Sequence, residues 1–280
     1  MRILVTGANG YLGHWIVNSL IKRGCTVVAA DRTDNRIPKE AQVVSLDVLN
    51  CSDEDIAAVG EIDAFLHLAW QDGFNHSADS HLNCLPGHYR FIKKIIEHGC
   101  TNITVMGTMH EIGYFEGCVQ EDTPCNPLSM YGIAKNTLRQ ACMVLCSNNS
   151  VQLKWLRAYY IIGDDKNNHS LFTKIVEMEA QGKEYFPFNS GKSKYDFISI
   201  DELSRQIACA AIQSEICGII NVCSGHAIPL KEQVNRFLKE HNYRIRPAYG
   251  MFPDRSYDSP AIWGDATKIR LIMERGEQEQ

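Results

Sequence analysis

A glycine-rich turn near the start of the chain limits the possible folds more than any other feature. Thr6-Gly7-Ala8-Asn9-Gly10-Tyr11-Leu12-Gly13 joins a short apolar run, Ile3–Thr6, to a stretch in which Leu12, Trp15, Ile16, Ser19 and Leu20 share one helical face. Glycines spaced G-x-x-G-x-x-G between a strand and a helix allow a tight turn, close approach of backbone to a pyrophosphate, and close packing of helix on sheet. The helix N-terminus then faces the phosphates. Gly24 suits the helix end.

The alternation continues. Thr26–Asp31, Val43–Asp47, Ala64–Ala69 and Asn102–Met106 read as strands, and Leu82–Glu97 and Leu128–Cys146 as helices. Strands of near-continuous apolarity alternating with helices predict a parallel sheet covered on both faces. After Leu153–Ala158 the rhythm loosens. Helices are expected at Ile200–Gln213 and Pro229–His241 and a strand at Ile219–Cys223, between Gly-, Pro- and Ser-bearing segments (Tyr185–Ser193, Arg246–Pro253, Ser256–Pro260) that read as loops. The expected fold is α/β. A Rossmann-type doubly wound parallel sheet occupies residues 1–163, and a smaller, irregular substrate-binding region occupies residues 164–280, interleaved with the first.

In such a fold a dinucleotide lies across the carboxyl ends of the strands. Its expected contacts are Gly7, Asn9, Gly10, Tyr11, Leu12 and Gly13 in the turn, then Asp31 and Arg32 after the second strand. Asp47 and Val48 follow after the third, and Leu68 and Ala69 after the fourth. An acid at position 31 hydrogen-bonds a ribose hydroxyl and repels a 2′-phosphate, which favours NAD. Arg32 beside it can accept that phosphate, so NADP stays open. His67 reads as a satisfied buried histidine.

Tyr131 and Lys135 lie four apart on one helical face. A phenol titrates near 10, and bringing it near 7 takes roughly 4 kcal/mol of preferential stabilisation of the phenolate. A neighbouring ammonium and an oxidised nicotinamide are sources of that stabilisation. Tyrosine then takes a proton from an alcohol as hydride leaves, or returns one to a carbonyl. Thr108, after the fifth strand, can hydrogen-bond the same oxygen, completing a catalytic trio of Thr108, Tyr131 and Lys135, the last two also touching the cofactor.

Composition narrows the remaining classes. Lys and Arg number 28 against 33 Asp and Glu, a net charge of −5, which gives no footprint for nucleic acid. No apolar run is long enough to cross a bilayer, and no signal-peptide pattern precedes the first strand. Eleven scattered cysteines suit reduced thiols in a cytoplasmic protein rather than a disulfide scaffold. His76, His81 and His88 are spaced five and seven apart, which matches no common zinc site, so no metal is expected. The polar segment between Trp70 and His88 reads as a mobile loop on the substrate side.

From Arg2 to about Lys268 the chain resembles the extended short-chain dehydrogenase/reductase family, in its NAD-dependent epimerase/dehydratase branch that acts on nucleotide sugars. The matching residues are the glycine turn, Asp31, Thr108, Tyr131 and Lys135, with Glu121-Asp-Thr-Pro124, Tyr195-Asp-Phe-Ile-Ser-Ile-Asp-Glu202, Asn221-Val-Cys-Ser-Gly225 and Trp263-Gly-Asp265-Ala-Thr-Lys268. The resemblance implies a nucleotide-sugar substrate, a homodimer built on the helices Leu82–Glu97 and Leu128–Cys146, and substrate contacts at Met109, His110, Tyr160, Lys194 and Arg255, the arginine meeting the diphosphate. The chain also departs from that pattern. Tyr195 stands where the family often has Arg, with Lys192 or Lys194 as a compensating charge. Tyr160 replaces a substrate-facing Asn, and Asp164 replaces a proline. Met109 and His110 occupy the places of the two acids that perform elimination in the 4,6-dehydratases, which removes that chemistry. A 4-ketoreductase of a nucleotide-linked 4-keto-6-deoxyhexose is favoured over a 4-epimerase with tightly bound NAD. A nucleotide-sensing regulator on the same fold is the non-enzymatic reading.

Overall fold

A computed structural model describes residues 1–163, 170–254 and 259–278. In chain order the elements of the first half are β1 (Arg2–Thr6), α1 (Gly13–Lys22), β2 (Thr26–Asp31), β3 (Gln42–Ser45), α2 (Asp53–Val59), β4 (Ala64–His67), α3 (Ser80–Glu97), β5 (Asn102–Thr108), β6 (Gly117–Val119), α4 (Met130–Asn148) and β7 (Gln152–Ala158). The second half supplies β8 (Tyr160–Ile162), α5 (Leu171–Ala180), β9 (Tyr185–Pro187), β10 (Lys194–Ser199), α6 (Ile200–Ile212), β11 (Gly218–Val222), β12 (Ala227–Pro229), α7 (Leu230–Glu240), β13 (Arg246–Ala248), β14 (Ala261–Gly264) and α8 (Thr267–Gln278).

Seven strands form one parallel sheet in the order β11-β7-β5-β4-β1-β2-β3. Because side chains alternate across a strand, the strands other than the edge strand β3 feed two cores. Ile3, Val5, Ala29 and Leu66 point to the face covered by α1 and α6, where they meet Ile16, Leu20, Leu203 and Ile207. Leu4, Val28, Phe65 and Val105 point to the other face, against Ile92 of α3 and Leu138 of α4. Each fully buried Val, Leu, Ile or Phe among them contributes roughly 1.5–3 kcal/mol relative to exposure. Strand order reverses between β1 and β4, so the connections after these strands leave to opposite sides and open a crevice above their carboxyl ends. The chain re-enters this layer late: α6 packs on α1, and β11 extends the sheet beside β7.

A second sheet, β12-β10-β14-β6 with β8 paired to β10, stands over the crevice. Segments that read as loops pair here: β9 and β13 form a two-stranded parallel ribbon of three residues each. β3 stops at Ser45, short of the expected Asp47. There the Asp47 carboxylate accepts the Leu49 N–H (3.0 Å) and the Asn50 amide (2.8 Å), turning the chain. Helix α2 was not expected. Its start carries a capping box in which Ser52 and Asp55 satisfy each other's backbone N–H groups. Among the described residues no helix is long and apolar enough to cross a membrane.

Candidate active site

One cleft of about 650 Å³ runs along the carboxyl edge of the large sheet and under the second one. At one end lies the glycine turn. Gly7 adopts φ +71°, and a Cβ there would stand 2.6 Å from the backbone nitrogen of Ala69. A Cβ on Gly13 would stand 2.0 Å from the Gly7 carbonyl oxygen. These two positions therefore accept no side chain, and the turn lies flat against β4. Helix α1 begins at Leu12 with no side-chain cap, so its first N–H groups face the cleft without a protein partner from a capping side chain. The Asp31 carboxylate accepts the Asn9 N–H on one oxygen (3.0 Å) and the Arg32 N–H on the other (2.7 Å), fixing its orientation with lone pairs to spare. The Asn9 side chain ties the turn to the segment after β2 through Thr33, Asn35 and the Arg36 N–H. An uncapped helix start, a sterically closed glycine turn and an oriented acid 18 residues beyond Gly13 fit a dinucleotide's phosphates and ribose. Gly10, Tyr11, Leu12, Arg32, Asp47, Val48, Leu68 and Ala69 line the same end.

At the other end are Thr108, Tyr131 and Lys135. Thr108 is the last residue of β5, and its hydroxyl accepts the His110 N–H (3.3 Å) at the start of a single 3-10 turn, Met109–Glu111. Glu111, fully buried, accepts the Thr108 N–H (2.8 Å) and the Trp155 indole N–H, and pairs with Arg157 at 3.4 Å and Arg139 at 3.6 Å. Burial pushes its carboxyl up while Arg157 pulls it down. Helix α4 starts at Ser129, whose hydroxyl accepts the Gly132 N–H (3.1 Å). Gly132 lets the helix approach the 3-10 turn, since a Cβ there would stand 2.3 Å from the His110 carbonyl oxygen. That approach sets Tyr131 beside His110, with ring centroids 6.1 Å apart. The Thr108 hydroxyl acts on the Tyr131 phenol, favouring its ionised form. Lys135 donates to the Met106 carbonyl oxygen (2.8 Å) and sits 3.9 Å above the Trp70 ring.

The protein's own groups do not lower the phenol as the sequence suggests. Burial raises Tyr131 to about 12, against the pull of the Thr108 hydroxyl and with a further push from the Glu111 charge. Burial likewise lowers Lys135 to about 7. At neutral pH Tyr131 is therefore a proton donor. His88 and His110 are both held neutral, near 3, first by burial.

The structure brings His110 and Tyr160 into the cleft near Tyr131, together with Phe172 and Tyr195. It corrects two other expected substrate contacts. Met109 turns away into the hydrophobic core at 6% exposure, because successive residues of the 3-10 turn point in different directions. Lys194 is exposed on β10 and does not line the cleft. Arg255 and Asp164 lie outside the described residues. His67 is buried, bonded to Thr6 (2.8 Å) and to His88 (3.0 Å). The segment after Trp70 that reads as a mobile loop is tied down. Its His76 carbonyl oxygen accepts the Tyr131 N–H (3.1 Å), and Ser80 bonds Asp72 (2.6 Å). His76, His88 and Trp70, passed over as site residues, line the cleft. The adjacency of Trp70 to the end of a crevice-forming strand was the available signal. Among the described residues no group of His, Cys, Asp or Glu could hold a metal ion.

A dinucleotide cradle sharing a cleft with a Tyr–Lys–Thr trio defines a nicotinamide-dependent oxidoreductase site. Residues 3–223 match the NAD dependent epimerase/dehydratase family, and the chain belongs to that family and is an NAD-dependent enzyme. It is 46% identical over 269 residues to dTDP-6-deoxy-L-talose 4-dehydrogenase (NAD(+)) of Aggregatibacter actinomycetemcomitans, covering 94% of this chain and 99% of that protein. It is 25% identical to UDP-glucose 4-epimerase of Haemophilus influenzae, covering 99% and 94%. Among solved structures it resembles UDP-glucose 4-epimerase of Thermotoga maritima with UDP-glucose, at a TM-score of 0.82 and 21% identity over 97% of this chain and 92% of that one. At that identity the likeness shows the fold alone.

Proposed function

We propose that this enzyme catalyses NAD-dependent oxidoreduction at carbon 4 of a nucleotide-linked 6-deoxyhexose, acting as a 4-ketoreductase or, run backwards, a 4-dehydrogenase. The observation that carries this reading is the 46% identity, over nearly the whole of both chains, to an enzyme named for that chemistry, together with Thr108, Tyr131 and Lys135 meeting in one cleft. NAD, when bound, supplies the hydride acceptor or, reduced, the hydride donor. Tyr131 passes its phenol proton to the carbonyl oxygen in reduction and takes it back in oxidation. Thr108 holds the phenol and steadies the reacting oxygen, while Lys135 contributes positive charge. His110 and Tyr160 face the sugar, and Asp31 selects NAD over NADP.

The substrate side suits an uncharged sugar ring. Among the described residues the charged groups lining the cleft, Asp31, Arg32, Asp47 and Lys135, sit at its cofactor end or beside Tyr131. Its far wall is Tyr160, Phe172, Tyr195 and Phe197. We place the enzyme in the cytoplasm on the support of its free cysteines, and as a homodimer on the support of exposed apolar side chains on α3 (Leu82) and α4 (Ile133, Val144). Purified protein, NADH and a nucleotide-linked 4-keto-6-deoxyhexose test the reaction. One NADH oxidised per sugar reduced is the expected result. Interconversion of 4-epimers by protein that retains NAD, with no net NADH consumed, would make it an epimerase instead.

A further inference from the structure

Trp70 follows the strand end His67-Leu68-Ala69 and has no part in the chemistry described so far, yet it touches both halves of the Tyr–Lys pair. The Lys135 ammonium lies 3.9 Å above its ring centroid. Lys135 is 2% exposed and donates a hydrogen bond to the Met106 carbonyl oxygen. A buried ammonium with three donors needs more compensation than one carbonyl provides. A Trp face is the best aromatic partner for a cation.

The indole is itself fixed. His88 stacks on it at 4.5 Å with the rings 17° apart. Its Nε1–H donates to His81 Nδ1 at 3.0 Å. Indole is a donor only, so His81 Nδ1 is the acceptor and its proton sits on Nε2. That nitrogen then donates to the Asn75 carbonyl oxygen at 2.9 Å. The next carbonyl in the chain, that of His76, accepts the Tyr131 N–H at 3.1 Å, and the His76 ring lies parallel to the Tyr131 ring at 5.0 Å. A connected path thus runs from the seat of Lys135 to the first turn of the helix bearing Tyr131.

We propose that Trp70 is a positioning residue for catalysis: its ring face seats the Lys135 ammonium, and its ring N–H ties that seat, through His81 and the 75–76 backbone, to the helix start that places Tyr131. The seat keeps Lys135 charged in a pocket whose burial works against the charge. The other ionisable groups around Lys135 are Tyr131, one turn before it on α4, Cys142 on the same helix, His67 of β4, His88 of α3 and Glu111 after β5. The two histidines are neutral through burial, Cys142 is a protonated thiol, and Glu111 is engaged by Arg157 and Arg139. Glu111 still favours the charged ammonium without touching it, and Trp70, with the Met106 carbonyl oxygen, is the partner in direct contact.

NMR of the full chain without cofactor, its lysines labelled with carbon-13 at Cε, reads this directly, with Lys135 assigned through Lys135→Arg. In the wild type the Lys135 Cε protons are expected upfield through the indole ring current. A cation held on an aromatic face gains roughly 0.5–2 kcal/mol. Its loss in Trp70→Leu therefore lowers the titration midpoint of Lys135 by about half to one and a half pH units, with Trp70→Phe between the two. Incorporation of 5-fluorotryptophan, which weakens the ring face and preserves its shape, lowers the midpoint in the same direction and serves if Trp70→Leu does not fold. In turnover, kcat falls in Trp70→Leu with KM for the sugar nucleotide little changed, and Trp70→Phe recovers part of it. Lys135 protons without an upfield shift, or a midpoint that stays or rises in the variants and the fluorinated protein, would overturn the proposal. Both NMR readouts are taken without substrate, so their failure is distinct from a wrong choice of sugar.

Discussion

Replacing Tyr131 by Phe removes one oxygen and little else. The ring keeps its stack on His76 at 5.0 Å and its edge contact with Trp70 at 6.3 Å, and the Tyr131 N–H keeps its bond to the His76 carbonyl oxygen. Thr108 loses its phenol partner but retains the His110 N–H. The glycine turn and Asp31 are untouched. The variant is therefore expected to bind NAD and NADH as the wild type does, measured by calorimetry. Turnover loses the general acid, worth roughly 10²–10⁴-fold. The direction of reaction sets the pH dependence. A phenol raised from 10 to about 12 favours its protonated form by roughly 3 kcal/mol over a free tyrosine. Reduction needs the phenol, so its rate is expected to be flat through neutral pH and to fall only as the phenol ionises. Oxidation needs the phenolate, so its rate rises with pH toward the same ionisation, which the cationic cofactor and Lys135 bring lower in the complex. Single-turnover NADH oxidation and the reverse reaction, followed across pH, check both limbs. A Phe variant retaining more than a tenth of wild-type kcat, or an oxidation rate that falls as pH rises through neutrality, would refute the assignment of Tyr131.

Asp31→Ala removes the carboxylate that orients on the Asn9 and Arg32 N–H groups and that repels a 2′-phosphate, leaving Arg32 to attract one. The ratio of kcat/KM for NADPH over NADH is expected to rise at least about tenfold, and steady-state kinetics with both cofactors would show it. Glu111→Gln leaves the Arg157 guanidinium buried without its carboxylate. Breaking one side of a buried pair costs about 3–5 kcal/mol, read as a lower denaturation midpoint, with kcat reduced in the folded fraction because Thr108 is held by that carboxylate.

What could be read in the residues themselves was what local spacing determines. The glycine turn, Asp31 and the Tyr131–Lys135 pair each work within one strand–turn–helix unit or one helical turn, so their geometry follows from sequence separation alone. Thr108 could be placed because it ends a strongly apolar strand. The short strands outside the large sheet were not legible in the same way. β9 and β13 are three residues each, carry Pro187 and Pro247, and exist only because their partner lies some sixty residues away. Met109 and His110 show the limit most clearly. Adjacent in sequence, both were assigned to the substrate, yet the 3-10 turn sends Met109 into the core and His110 into the cleft. Likewise the histidines between 76 and 88 suggested neither zinc nor an active-site wall by their spacing. Only the packing of α3 and α4 draws them and Trp70 around Tyr131.

The reaction proposed for this enzyme is hydride transfer between the nicotinamide and carbon 4 of the sugar, with Tyr131 moving the accompanying proton. Reduction of a nucleotide-linked 4-keto-6-deoxyhexose with NADH carrying deuterium at the transferred position tests it most directly. One deuterium per product, located at carbon 4, is the expected result, and none when Tyr131→Phe is used over the same interval. Deuterium absent from the product while 4-epimers interconvert, or present at any other carbon, would contradict it.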